Sequence, residues 1–137
     1  KVLIHIERLQ SRNPKPDTKT FVMFLPINEI HDLGLLFINC ELLSRGYHTI
    51  YLGESIPISN LNTLNTLYDD VTYISFFTVK PELDKLDSYM KTIYNEVLEN
   101  TTNSFRVLGT RFKDYNPKKL PKQINIFSSI ESLVKDL

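Results

Sequence analysis

From residue 20 onward the chain alternates between short, continuous apolar runs and stretches in which apolar residues recur every three or four positions. TFVMFLP, residues 20–26, carries no polar face and predicts a strand buried on both sides. HDLGLLFINCELLSRG, residues 31–46, predicts a helix that stops at Gly46. HTIYLG, residues 48–53, predicts a second strand. PISNLNTLNTLYDD, residues 57–70, places Leu61, Leu64 and Leu67 at helical spacing, with Ser59 as the expected N-cap. VTYISFFTV, residues 71–79, is rich in aromatic and β-branched residues and predicts a third strand. PELDKLDSYMKTIYNEVLEN, residues 81–100, predicts a helix with Pro81 at its first position and acids in its first turn. Tyr89, Met90, Ile93, Tyr94 and Val97 would form its sheet-facing side. FRVLGT (105–110) and KQINIFSS (122–129) predict a fourth and a fifth strand, and IESLVKDL (130–137) a closing helix. Between them, RFKDYNPKKLPK holds two prolines and little periodicity, which predicts a loop or a poor helix. Its Lys118, Lys119 and Lys122 read as a solvated edge.

Strand–helix alternation repeated in this way predicts an α/β fold: a doubly wound, five-stranded parallel sheet of flavodoxin-like order. Such sheets bind ligands outside the carboxyl ends of their strands, where the strand order reverses. The loop after the first strand borders that crevice. It contains Glu29, His31 and Gly34, spaced E-x-H-x-x-G.

The segment ahead of the first strand reads differently. KVLIHIERLQ, residues 1–10, has Val2, Leu3, Ile6 and Leu9 at helical spacing but no N-cap residue, and reads as the end of a longer preceding helix. SRNPKPDTK, residues 11–19, reads as a linker. The expected domain is then 20–137. Lysine plus arginine number 16 and aspartate plus glutamate 16, so this segment alone lacks the basic surplus that usually grips nucleic acid. The single cysteine, Cys40, excludes an internal disulfide framework and a cysteine-rich zinc site. No run of eighteen apolar residues and no signal peptide is present, so a cytoplasmic, membrane-free domain is expected.

The candidate chemistry sits at the first strand–helix junction. Glu29 can accept a hydrogen bond from one imidazole nitrogen of His31, the arrangement that fixes the tautomer of a metal-ligating histidine. Gly34, one turn into the helix, costs roughly 1 kcal/mol against alanine and so needs a reason, such as close approach of a ligand. Asp32 suits the helix dipole. On the same rim the third strand leads into Ser75 and Phe77, and the fourth ends at Gly109 and Thr110. A hydroxyl and a glycine there would leave a slot between sheet and helix. A histidine exposed and idle in a first turn, a serine bonded to backbone and a glycine in a plain turn are the competing structural readings.

Glu29, His31, Gly34, Ser75 and Gly109 together resemble the cobalamin-binding fingerprint D-x-H-x-x-G … S-x-L … G-G. LPINEIHDLGLLFINCELLSRGYHTIYLGESIPISNL, residues 25–61, is similar to the cobalamin-binding domains of MerR-type transcriptional regulators, the CarH/LitR-like group, which commonly carry Glu at the first position and a YLG…P segment. The resemblance implies that His31 is the lower axial ligand of cobalt and that Glu29 holds its imidazole. It implies that Gly34 lets the nucleotide tail pass, that Ser75 lines the tail pocket and that Gly109 clears space deeper in it. Phe77 stands where the family has leucine, and Thr110 where it has its second glycine. The implied function is a non-enzymatic sensor binding a corrinoid, adenosylcobalamin above others, possessing a light response through cobalt–carbon photolysis, self-associating in the full-length protein and reaching DNA through an N-terminal domain outside this segment.

Two other uses of the fold stay open. Phe77 and Thr110 fit a cobalamin fold kept for protein contacts without a cofactor, and His31 fits a corrinoid carrier domain serving a methyltransferase. A receiver domain would need an aspartate where Ser75, Phe76 and Phe77 stand, and PINEIHD cannot cradle the phosphate of a flavodoxin ligand. A hydrolase with His31 as base lacks a nucleophile, since Cys40 falls in an apolar helix segment. His5 reads as surface, and His48 opens the second strand at the far end of the sheet from His31.

Overall fold

The computed structural model describes residues 19–137. The preceding helix end and nearly all of the linker, with His5, lie outside them. Five strands form the sheet: β1 (Thr20–Phe24), β2 (His48–Gly53), β3 (Val71–Phe76), β4 (Ser104–Leu108) and β5 (Ile124–Phe127). Every pairing is parallel, in the order β2-β1-β3-β4-β5. The expected doubly wound architecture is therefore present, with the order reversing between β1 and β3.

All five residues of β1 are buried, as an unbroken apolar run at the centre of a two-faced sheet requires. Alternate side chains serve separate cores. Phe21, Met23 and Leu25, with Ile74 and Leu108, face helices α1 (Leu33–Ser44) and α4 (Ile130–Lys135), meeting Leu35, Ile38, Leu42 and Leu133. Val22, Phe24, Tyr73, Phe105 and Val107 face α2 (Ile58–Asn65) and α3 (Leu86–Ile93), meeting Leu61, Leu86, Met90 and Ile93. Each fully buried side chain of this size contributes roughly 1.5–3 kcal/mol over exposure.

Helix α1 stops where expected. The Gly46 amide bonds the Leu43 carbonyl and the Tyr47 amide the Leu42 carbonyl, a Schellman ending with Gly46 at φ 82°. α4 begins in a capping box between Ser129 and Ser132.

Three expectations at helix ends need correction. α2 is preceded by Pro57, not capped by Ser59, which falls inside the helix and is exposed. The extended backbone of Pro57 sets the entry, so no side-chain cap is made. Of the three leucines only Leu61 is fully buried; Leu67 lies beyond the last residue of α2 and is exposed. Pro81 does not open the third helix. A single 3-10 turn, Leu83–Lys85, leads into α3, because the amides of Thr78, Val79 and Lys80 are held in an open loop by Glu29. The helix continues past α3 as a π-helical turn, Tyr94–Leu98, closed by the Glu99 amide on the Tyr94 carbonyl. The proline-rich segment after β4 forms two short 3-10 turns, Thr110–Phe112 and Pro117–Lys119, in keeping with a poor helix former.

Candidate functional site

The site begins where β1 runs out of apolar residues. The Leu25 amide bonds the Gly53 carbonyl and the Ile56 amide the Leu25 carbonyl, which ties this end of β1 to β2. Pro26 then opens a turn closed by the Glu29 amide on the Pro26 carbonyl at 3.0 Å. Asn28 sits in it at φ 66°, a conformation that asparagine tolerates better than most residues. The turn reverses the chain and sends the Glu29 side chain into the protein.

Glu29 is fully buried, and its carboxylate receives six hydrogen bonds. Oε1 accepts from the backbone amides of Thr78 (3.1 Å), Val79 and Lys80 (2.9 Å). Oε2 accepts from the amides of Ile30 (3.0 Å) and His31 (3.1 Å) and from His31 Nδ1 at 2.7 Å. Burial pushes the Glu29 acid strength down. The hydrogen bonds from the Lys80 and Val79 amides, and then from His31, outweigh it and hold its pKa at about 2.

An ionised carboxylate can only accept, so His31 Nδ1 carries a proton. The second ring nitrogen, Nε2, lies across the ring from this contact, and the side chain is 55% exposed. In the neutral imidazole Nε2 therefore holds a lone pair at the surface, fixed in tautomer and orientation. Ile27, Ile30 and Leu33, close to it in the chain, are exposed, and so is Val79 on the loop bonded to Glu29. An exposed imidazole, held through Nδ1, thus stands in a loop with several exposed apolar side chains at the point where the strand order reverses.

The other expected site residues are dispersed around this pair. Asp32 stands at the N-cap of α1, but its carboxylate makes no cap and accepts instead from the Tyr51 hydroxyl at 3.1 Å. Burial, and then the Asp32 charge, raise the Tyr51 phenol and keep it protonated. Gly34 has a protein reason for lacking a side chain. A Cβ there would lie 2.6 Å from Cε2 of the Phe76 ring, so an aromatic of β3 takes the space expected for a ligand. Ser75 is buried and donates to the Phe24 carbonyl at 2.7 Å. It pairs with Phe24 in register and shares that residue's side of the sheet, opposite α1 and Gly34.

Phe77 points into the core on the α2–α3 side, stacked on Phe112 with ring centroids 5.3 Å apart and edge-on to Tyr89. Gly109, at φ 132°, is crowded by backbone: a Cβ there would lie 2.1 Å from the Phe77 carbonyl oxygen. Thr110 is exposed, and its hydroxyl donates to the Thr78 carbonyl at 2.9 Å, while Arg111 Nε donates to the Val79 carbonyl at 2.8 Å. These two residues brace the loop that holds Glu29. A cleft of about 460 Å³ opens beside Gly109 and Thr110, toward Tyr115, Phe127 and Ser128; His31 does not line it.

Sequence reasoning found the Glu29–His31 pair because its members are two positions apart. It missed the 78–80 amides, which carry no side-chain signature, and Arg111. Cys40 is half-buried, and burial, with Glu41 beside it, pushes its thiol up, away from nucleophilic use. His48 bonds Thr20 at the opposite end of the sheet, as expected. No helix among the described residues is long and apolar enough to cross a membrane.

No family model matches the sequence, and a search of curated proteins finds no match. Solved structures match its fold. The monomethylamine corrinoid protein of Methanosarcina barkeri superposes with a TM-score of 0.72 at 13% identity, over 98% of this chain and 63% of that one. A cobalamin-binding protein from Desulfitobacterium hafniense DCB-2 gives 0.64 at 15% identity, over 98% and 67%. A chain of the methanol:cobalamin methyltransferase complex MtaBC from Methanosarcina barkeri gives 0.62 at 14% identity, over 94% and 48%. The chain thus spans less than two thirds of the length of the first of these and about half of the third. At such identities the likeness is one of fold, and this chain has the Rossmann-like α/β fold those cobalamin- and corrinoid-binding proteins share.

Proposed function

We propose that this chain binds a corrinoid, with His31 Nε2 as the lower axial ligand of cobalt. The observation that carries the reading is the Glu29–His31 contact: a buried, ionised carboxylate holds Nδ1 of a half-exposed imidazole and leaves Nε2 free of it. Among the described residues no cluster of three or more His, Cys, Asp or Glu is arranged to hold a bare ion. One imidazole on a greasy surface suits a metal that arrives with its equatorial ligands already in place. Ile27, Ile30, Leu33 and Val79, exposed on the same loops, would offer a macrocycle apolar contacts, and imidazole is a good donor to cobalt. The fold likeness to corrinoid proteins favours a corrin over other macrocycles. The cofactor, when bound, supplies an organometallic cobalt–carbon bond; the chain supplies the axial nitrogen, its orientation and the apolar seat.

For the use of that site, the 25–61 segment supports a sensor domain of a MerR-type regulator, with adenosylcobalamin as its ligand and DNA bound by a part outside this chain. Light would act there by breaking the cobalt–carbon bond. In a sensor the cofactor shifts the population toward one oligomeric state. The structural neighbours, a corrinoid protein and a chain of a cobalamin methyltransferase complex, favour a second use, a carrier that presents methylcobalamin to a methyltransferase. In both, this domain performs no turnover of its own.

The test is a visible absorption titration in the dark with diaquacobinamide, hydroxocobalamin and adenosylcobalamin, on the wild type and on His31→Ala. The expected result is a spectrum of imidazole-ligated cobalt in the wild type, absent in His31→Ala. Absence of that spectrum with all three corrinoids in the wild type would overturn the reading and leave a fold used for protein contacts. Size-exclusion chromatography with and without adenosylcobalamin then separates sensor from carrier: a cofactor-dependent change of oligomeric state supports the sensor.

A further inference from the structure

The seat at His31 has a steric consequence for which corrinoid it takes, and this inference rests on the corrinoid reading above. In a complete cobalamin the lower base is tethered to the corrin by a nucleotide on the same face that the protein imidazole would occupy. When an imidazole replaces that base, the displaced nucleotide and base need room on that face, beside the imidazole. Beside His31 lies the first turn of α1, where Leu33 is exposed on the rim and Leu35 and Leu36 are buried. Gly34 is the one position of that turn without a side chain. The ring of Phe76 already fills the space there: Cε2, Cδ2 and Cζ would stand 2.6, 2.9 and 3.3 Å from a Cβ at Gly34. Phe76 is partly buried and packs against the α1–α4 core, as Phe127 and Ile130 do. On the other side of β3, Phe77 is locked between Phe112 and Tyr89.

We infer that Phe76 closes the passage beside Gly34 to a nucleotide-borne base, so that the site selects corrinoids of the cobinamide class, which have no lower nucleotide. Phe76 acts as a specificity-determining residue, and His31 remains the cobalt ligand.

The experiment compares diaquacobinamide with hydroxocobalamin by absorption titration on the wild type, Phe76→Ala and Phe76→Leu. Cobalamin must release its own base to accept His31, and that cost is the same for every protein. The change in the cobinamide-to-cobalamin affinity ratio between variants therefore isolates the passage. Relief of an overpacked contact is worth a shift of roughly tenfold or more in that ratio. The expected result is that Phe76→Ala lowers the wild-type preference for cobinamide by about that factor, with Phe76→Leu, which keeps an apolar filling, in between. An unchanged ratio in variants that still give the imidazole-ligated spectrum with cobinamide would overturn this inference and leave the corrinoid reading standing. Failure of the wild type to give that spectrum with either corrinoid would overturn both. Circular dichroism of each variant verifies the fold, and Phe76→Leu decides the matter if Phe76→Ala does not fold.

Discussion

Glu29→Gln tests the foundation of the site without any ligand. The substitution keeps size and shape but removes the charge and replaces one acceptor oxygen by an NH2 group. Whichever way the amide turns, two donors or more face it: the Thr78, Val79 and Lys80 amides on one side, the Ile30 and His31 amides and His31 Nδ1 on the other. The magnitude follows from the carboxylate's own titration. Its pKa falls from 4.5 to about 2, and at about 1.4 kcal/mol per unit the folded state favours the ionised form by about 3 kcal/mol. The group is fully buried, so solvent screening takes little from this figure. The sign follows from a depressed pKa: the stabilisation is complete above pH 4.5 and is lost as pH falls through about 2. Urea unfolding followed by circular dichroism should thus show Glu29→Gln less stable by about 3 kcal/mol at pH 7, with the gap narrowing at pH 3. A gap under about 1 kcal/mol at pH 7, or one that stays constant down to pH 3, would refute the claim that a charged Glu29 organises the loops.

Gly34→Ala gains up to about 1 kcal/mol of helix propensity but drives a methyl into the Phe76 ring, so a net loss of about 1–2 kcal/mol is expected in thermal or urea unfolding. Combining it with Phe76→Leu should restore most of that loss, and additive effects would count against the contact. Gly109→Ala should be worse than Gly34→Ala in the same assay, because the obstacle is the Phe77 backbone rather than a movable ring, and φ is 132°. His31→Ala should cost the ligand-free protein less than about 1 kcal/mol, since the ring is half exposed and five backbone amides still satisfy Glu29. A larger loss on urea unfolding would show His31 to be a structural residue.

The alternation of strands and helices was readable because each element writes its own periodicity within ten or fifteen residues. β1 and β3 could be recognised from runs such as TFVMF and VTYIS, whose buried faces need no partner to be identified. Helix starts were harder. Ser59 is a good cap in isolation, yet Pro57 takes that place by backbone geometry, and Pro81 yields to a loop whose amides are engaged fifty residues back in sequence. The same distance limit divides the site. Glu29 and His31 are neighbours in the chain, so their pairing was legible. That Gly34 faces Phe76, and that Gly109 faces the Phe77 backbone, are facts of packing; sequence showed that a side chain was missing but not what required it.

Glu29 and His31 carry unequal weight as signs of function. Five of the six donors on Glu29 are backbone amides, and the loop supplying three of them is braced in turn by Thr110 and Arg111. The carboxylate therefore joins the ends of β1, β3 and β4 whether or not anything binds, and a chain that had lost its ligand would still need it. The same commitment means that His31 is oriented before a ligand arrives, so little ordering remains to oppose binding. The His31 ring, by contrast, returns a single hydrogen bond to an acceptor already saturated by others, and its Nε2 bonds no other group among the described residues. A variant lacking Glu29 reports on folding and binding at once. A variant lacking His31 alone separates them, which makes the imidazole, not the buried charge, the residue on which the corrinoid reading stands.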